Sequence, residues 1–447
     1  MILHKSVWGA VALGAVCACS VASADPDAAN ARRTAPAVGD DNPPDTRPPP
    51  PDLLYLQPQE GAAPILDFEA ALGGLGNGSA ADAAAIGIAW LDSWSKLQTI
   101  QTDEGVLNAY PRHGADSLRC EWLRVAKSEI CDDRCGDCVT GRSARAETAR
   151  VPFRLLAIVN RVDLGSDACS ESGAEARLIY VATSPGTGAP LGFTTILEYG
   201  LHGPTQQWAA RFRALRGANA AQSAGLLREL ALDLVRQDRG LASLLRVRTN
   251  ETTFGALGQW ELREFRPTST PEGPRLALAP LAGTPGAALD GTKALSGWVE
   301  ANRASIRRGD NPIPPRMQTL AITLAKPTFR WSSTTDRDLA TLFSRNTCNG
   351  CHGGERPAED MAFQMVAPVR PPKQDPQPQP YYGSAPPEPV GPPPLTIHGV
   401  ELSRYLVDPT NRQGDELARR EGVNDEVLRA RCAEERTHLM TGRRTVH

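Results

Sequence analysis

Short apolar runs alternate with polar and proline-dense stretches along the middle of this chain, and they predict most of its elements. Phe153 to Val159, Leu178 to Ala182 and Phe193 to Tyr199 are brief and rich in aliphatic, aromatic and β-branched residues, the pattern of buried strands. Leu226, Leu227, Leu230 and Leu234 then recur at helical spacing within Ala221 to Arg236. Trp260 to Phe265 and Leu276 to Ala282 return to strand character. Upstream, Leu53 to Ser143 reads as mostly helical, with Trp90 and Trp94 one turn apart on the apolar side of a helix over Ala80 to Thr99. Downstream, Ser333, Thr334 or Asp336 can cap a helix whose stripe of Leu339, Leu342 and Phe343 leads into a pair of cysteines. Pro368 to Pro394 is too dense in proline to pack and reads as a polyproline-like insertion. Gly414 to Met440 reads as a charged, solvated helix whose arginines and glutamates pair with each other and with water. The expected fold is mixed α+β: a central α/β domain followed by a mainly helical C-terminal region.

The N-terminus changes the picture by fixing a compartment. Lys5, the uncharged run Val7 to Ala18 and the small residues Ala22-Ser23-Ala24 have the layout of a cleavable export signal. Cys19, in Val16-Cys17-Ala18-Cys19-Ser20, is a lipidation candidate in an imperfect lipobox, so a lipid-anchored form and a soluble periplasmic or secreted form both stand. The expected organisation is a signal peptide over 1–24 and a disordered proline-rich tether over 25–52. A helical region with a cysteine cluster follows over 53–144, then a mixed α/β domain over 145–330. The last part, 331–447, carries the insertion 368–394. After the signal no stretch is long and apolar enough to span a membrane. Lys+Arg 48 against Asp+Glu 51 gives a net charge of −3 without a basic cluster, which excludes a nucleic-acid footprint.

Cys348-Asn-Gly-Cys351-His352 has the spacing by which two thioethers hold the vinyl groups of a haem c while the histidine ligates the iron. Met365 is the first candidate for the sixth ligand and His398 the alternative. Cys120, Cys131, Cys135, Cys138, Cys169 and Cys432 remain, and in an exported chain six cysteines read as disulfide candidates. Cys131, Cys135 and Cys138 together with Cys120 could instead form a zinc knot. His113 and His202 have no nucleophile or carboxylate at an informative spacing.

The segment Leu342-Phe343 to Cys348-Asn-Gly-Cys351-His352-Gly353-Gly354 resembles the opening of a class I cytochrome c, where a helix ending in an aromatic residue runs into CxxCH. Phe343 stands one residue further from the first cysteine than is usual there, and the proline-rich insertion falls where that family places its distal loop. The blocks FRLLAIVNRVDL (153–164), TTILEYG (194–200), VRTNETTF (247–254), WELREF (260–265) and FSRNTCNGCHGGE (343–355) look like a wider group of exported bacterial proteins without an assigned biochemical role. The first resemblance implies a cytochrome c-like C-terminal region, a covalent haem c and electron transfer to an unidentified redox partner. The expected function is therefore that of an exported mono-haem electron-transfer protein fused to an α/β domain. Its alternatives are a haem-free exported lipoprotein or binding protein with disulfides, and a haem-dependent oxidoreductase.

Overall fold

The computed structural model describes residues 50–59, 64–76, 80–102, 105–112, 152–165, 168–170, 174–184, 187–251, 260–307, 311–324, 331–349, 366–368, 395–402, 406–407, 416–430 and 432. In chain order these form β1 (Leu54–Leu56), α1 (Phe68–Ala71), α2 (Ala80–Asp92), and the hairpin β2 (Gln98–Thr102) and β3 (Gly105–Ala109). Next come β4 (Phe153–Arg161), β5 (Glu175–Thr183), β6 (Pro190–Leu201), α3 (Thr205–Arg213), α4 (Ala220–Val235), β7 (Ala242–Glu251), β8 (Trp260–Thr270) and β9 (Gly273–Ala279). Then follow α5 (Lys293–Ala301), α6 (Arg303–Arg307), β10 (Ala321–Leu324), α7 (Arg337–Arg345), β11 (Val366–Pro368), β12 (Leu395–Ile397), β13 (Val400–Leu402) and α8 (Glu416–Arg429).

Eight of these strands make one sheet in the order β1-β4-β5-β6-β7-β8, with the far edge of β8 shared by β10 and β9. Every pair in it is antiparallel. The strand-like runs of the sequence fall inside β4, β5 and β6, but they read as α/β strands because apolar residues cover both faces. A register shift between Leu155 and Ala157 explains much of this in β4. The extra residue resets the alternation, so Leu155 and Ile158 point to one face while Leu156 and Val159 point to the other.

On the first face Phe153, Tyr180, Phe193 and Phe265 meet Phe68 of α1 and Trp90 of α2. The hydroxyl of Tyr180 donates to the Leu66 carbonyl and that of Tyr199 to the Ala71 carbonyl, so two core tyrosines keep their polar ends satisfied while fixing α1 on the sheet. Helix α4 begins with a capping box in which Asn219 and Gln222 exchange side-chain and backbone bonds, which satisfies amides that have no partner inside the helix. On the second face Leu54, Leu156, Ile179 and Val181 pack beneath Val366, Val400, Leu402 and Leu417.

Two expectations about the fold are corrected. The central unit is an antiparallel meander with helices added to it, not an α/β domain. The C-terminal region is not mainly helical and not cytochrome c-like. β11, β12 and β13 form a three-stranded antiparallel sheet, paired Val366 to Leu402 and Leu395 to Leu402 at its ends, which lies on the second face of the main sheet. Strands of three residues carry too little alternation to register as a pattern, and the proline-rich stretch separates β11 from its partner. The predicted helix before the cysteines is present as α7, with Asp336 accepting from the Leu339 amide. Its Phe343 packs against Trp298 and Trp331 in a cluster with Leu295, Val299 and Ile306.

Candidate functional site

Charged residues recur at alternate positions along β5, β7 and β8, and the antiparallel registers bring them onto the second face. Arg161 lies opposite Glu175, Arg177 opposite Glu198, Glu198 opposite Arg246 and Arg248 opposite Glu264. Glu198 is the centre of the resulting lattice. It is 0 % exposed, and its carboxylate lies 2.7 Å from Arg246 Nε, 3.3 Å from Arg248 Nη1 and 3.6 Å from Arg177 Nε. Glu175 bridges Arg177 and Arg246 at 3.1 Å each, and Glu264 joins Arg248 at 3.2 Å to Arg266 at 2.9 Å.

The lattice reaches the C-terminal helix. Glu416, Arg420 and Asn424 repeat at four-residue spacing and form the buried side of α8. Arg419 spans Glu416 and Asp163 at 2.7 Å each, Arg420 holds Glu416 at 2.9 Å, and Asp163 closes on Arg161 at 2.9 Å. The expectation of a solvated helix is thus half right: its arginines and glutamates do pair with each other, but the first turns do so inside the protein. A run of charges on a helix is ordinarily its wet side, so the pattern alone does not reveal this burial.

The electrostatics follow from this crowding. Burial alone would push the Glu198 carboxyl up, but Arg177, Arg248 and Arg246 outweigh burial and bring it down to about 2. Glu416 behaves in the same way, with Arg420 and Arg419 overcoming burial to hold it at about 2. Asp163, buried between Arg161, Arg419 and Arg420, is held well below the usual carboxylate range. Arg420 moves the other way, down to about 10, because burial and the nearby Arg161 outweigh Glu416.

A pH dependence follows. The ordinary value for a glutamate is 4.5 and the folded values lie near 2, so the unfolded chain binds protons first as pH falls. The stabilisation from these carboxylates is complete above about pH 5 and is lost progressively from there towards pH 2. Urea midpoints measured from pH 7 to pH 2 are expected to fall steeply in that window. A flat profile would mean that the buried carboxylates are not held ionised.

A smaller charged cluster occupies the first face. Arg112 reaches Glu251 at 2.5 Å and Glu261 at 3.7 Å, while Arg263 donates to Glu261 and to the Tyr110 carbonyl at 2.7 Å each. The Arg263 guanidinium also lies 4.4 Å over the Trp94 ring. This cluster anchors the end of the β2–β3 hairpin to β8.

No family model, curated protein or solved structure matches this chain.

The residues singled out in the sequence are dispersed. Cys348 is buried beyond the end of α7, with its amide donating to Thr284 Oγ1 at 3.0 Å. His398 is exposed in the β12–β13 turn with a φ of 53°, and its carbonyl accepts from the Gln59 amide. The two therefore belong to different parts of the packing, Cys348 beside β8 and β10 and His398 against the segment after β1. Cys351, His352, Met365, Cys19, Cys120, Cys131, Cys135 and Cys138 lie outside the described residues, as does His113. Of the disulfide candidates, Cys169 and Cys432 are joined across 263 residues.

The expected haem c is corrected. Among the described residues no group of three or more His, Cys, Asp or Glu is placed to hold a metal ion. The surroundings of Cys348 do not fit the group either. Its side chain is 1 % exposed and enclosed by Trp260, Leu262, Leu281 and Ile322, where a thioether-linked macrocycle would require an open face. The CxxCH spacing is a local pattern, and the non-local neighbours of Cys348 are set by β8 and β10. The redox partner rested on the haem and is not carried further. No helix among the described residues is long and apolar enough to cross a membrane.

Proposed function

We propose that this chain is an exported, disulfide-braced binding protein. The observation that carries the reading is the Cys169–Cys432 bridge, a covalent tie suited to an oxidising compartment. It agrees with the export signal read from Lys5, Val7 to Ala18 and Ala22-Ser23-Ala24. Binding is supported by where large apolar side chains meet solvent. Of the five that stand exposed among the described residues, Leu97, Val106 and Tyr110 belong to the β2–β3 hairpin or its immediate ends. That hairpin is fixed at its base by Arg263, so it presents a held surface rather than a loose loop.

The bridge closes the end of α8 onto the loop before β5. Gln206 already donates to the carbonyls of Val427, Leu428 and Ala430 there, which caps the helix without the disulfide. Replacing both cysteines with serine is expected to cost about 2–4 kcal/mol, read as a lower urea midpoint, and a reductant should lower the wild-type midpoint by a similar amount. An unchanged midpoint would show that the bridge is absent.

The functional reading is tested on protein recovered from the envelope of an exporting bacterial host. Intact mass should show removal of the leader, or lipidation at Cys19, and the mass deficit of a disulfide. Val106→Asp/Tyr110→Asp should fold and be exported like the wild type but lose co-elution with its envelope partner. A chain retained in the cytoplasm with its leader intact would overturn export. A wild type that always elutes as a bare monomer would overturn binding.

A further inference from the structure

His202 stands alone in the sequence but not in the fold. It follows the last residue of β6, and its amide donates to the Leu241 carbonyl at 2.8 Å, which sets it beside the start of β7. There Nδ1 lies 3.0 Å from the Gly240 carbonyl oxygen and Nε2 lies 3.1 Å from Ser243 Oγ. A carbonyl can only accept, so the neutral ring carries its proton on Nδ1. That leaves the lone pair of Nε2 facing the Ser243 hydroxyl, which donates to it. Nucleophile, base and orienting group stand in the relation used for serine activation, with a main-chain carbonyl in the orienting position.

The surroundings hold this geometry and add a surface. Trp208 Nε1 donates to the His202 carbonyl at 2.7 Å, and Gly203 and Gly240, with φ of 84° and 63°, make the turns that bring the two segments together. Gly200 is the cross-strand partner of Ser243. A Cβ at Gly200 would lie 3.0 Å from Leu245 Cδ1, so the Leu245 side chain lies across that glycine. Leu245 is 41 % exposed, which places an open apolar shelf next to the serine hydroxyl. His202 itself is exposed, so the pair is accessible to a reactant from solvent.

We propose that Ser243 and His202 form a nucleophile and base that hydrolyse carboxylic esters with short apolar acyl groups, an activity that goes beyond the binding reading. Ser243 Oγ bonds to the ester carbonyl carbon as its proton passes to His202 Nε2. The bond to the alcohol oxygen breaks, and the alcohol leaves with that proton. Water then attacks the acyl-serine, giving its proton to Nε2, and the acid departs as the proton returns to Ser243 Oγ. No oxidant or reductant is required. Leu245 would carry the acyl chain.

The full exported chain is treated with a biotinylated fluorophosphonate, and the labelled peptide is mapped by mass spectrometry. p-Nitrophenyl acetate hydrolysis is followed alongside. Labelling at Ser243 is expected, with Ser243→Ala abolishing label and turnover, and His202→Gln slowing both by about 10²–10⁴-fold. Leu245→Ala should raise the KM for a butyrate ester more than for the acetate, a split that a purely structural leucine would not produce. Urea midpoints of each variant separate lost chemistry from lost folding, and Leu245→Ala keeps both reacting groups in place. Wild-type protein labelled no faster than Ser243→Ala, or labelled only elsewhere, overturns the proposal. Export and partner binding are read independently, so failure of either reading is distinguishable from the other.

Discussion

Glu198→Gln is expected to destabilise the protein by about 3–5 kcal/mol at pH 7, the cost of leaving buried charges without their counter-ion. Three buried guanidinium groups depend on this one carboxylate. Arg177, Arg246 and Arg248 all direct a guanidinium nitrogen at Glu198, and all three are buried. Glutamine has nearly the same shape and can accept one bond, so packing changes little and the loss is electrostatic. Glu175 and Glu264 would remain, facing three arginines with two charges instead of three. A control comes from the rim, where Arg216 and Glu421 form a pair with both side chains about a third exposed. Glu421→Gln is expected to cost under about 1 kcal/mol, because water screens that pair. Urea unfolding of both variants at pH 7 and pH 3 makes the comparison. Glu198→Gln should lose the share of the acid sensitivity that Glu198 carries along with its stability, while Glu416 and Asp163 keep theirs. If it unfolds within about 1 kcal/mol of the wild type, the lattice is not ionised as described.

In the same lattice the local sequence pattern ceases to specify the structure. β4, β5 and β6 were legible because their apolar runs are nearly unbroken. β7 was not, because Arg246, Arg248 and Asn250 interrupt the pattern and look like the exposed side of a loop. Only the register with β6 and β8 reveals that these charges point inward at Glu198 and Glu264. Alternation of charge with Val247 and Thr249 was the available signal, but a strand with charge on one side is ordinarily half-exposed. His202 and Ser243 failed for a related reason. They meet only because β6 and β7 pair after two intervening helices, and no spacing rule covers that separation. The reverse error arose at Cys348, where a strong local spacing suggested a chemistry that the enclosure by Trp260 and Ile322 does not fit. Six cysteines indicated disulfides without naming partners, and a pairing across 263 residues is set by how α8 returns to the sheet.

Trp90→Ala is expected to cost about 3–5 kcal/mol, comparable to the loss of Glu198 but by a different cause. Trp90 is 2 % exposed at the centre of the first face. Its ring centroid lies 5.6 Å from that of Phe265, 5.8 Å from Phe153, 6.2 Å from Phe68 and 6.4 Å from Phe193. One side chain thus joins α2 to α1, β4, β6 and β8. These neighbours cannot collapse into the space, because Phe153 and Phe193 belong to paired strands whose register is fixed on both sides. The result is a cavity that keeps its volume, and each facing ring also loses an aromatic contact. Trp90→Phe retains an aromatic ring and removes less volume, so it should cost clearly less than the alanine. Both are read from urea midpoints at pH 7, where an unchanged slope shows that the unfolded state is the same. The acid profile supplies the distinguishing sign. Trp90→Ala should lower stability at every pH without flattening its fall below pH 5, since the carboxylates on the other face keep their arginines, whereas Glu198→Gln should flatten it in part, by the share that Glu198 carries. If the two variants gave the same pH profile, the two faces of the sheet would not be energetically separate, and the division of this fold into an aromatic face and an ionic face would fail.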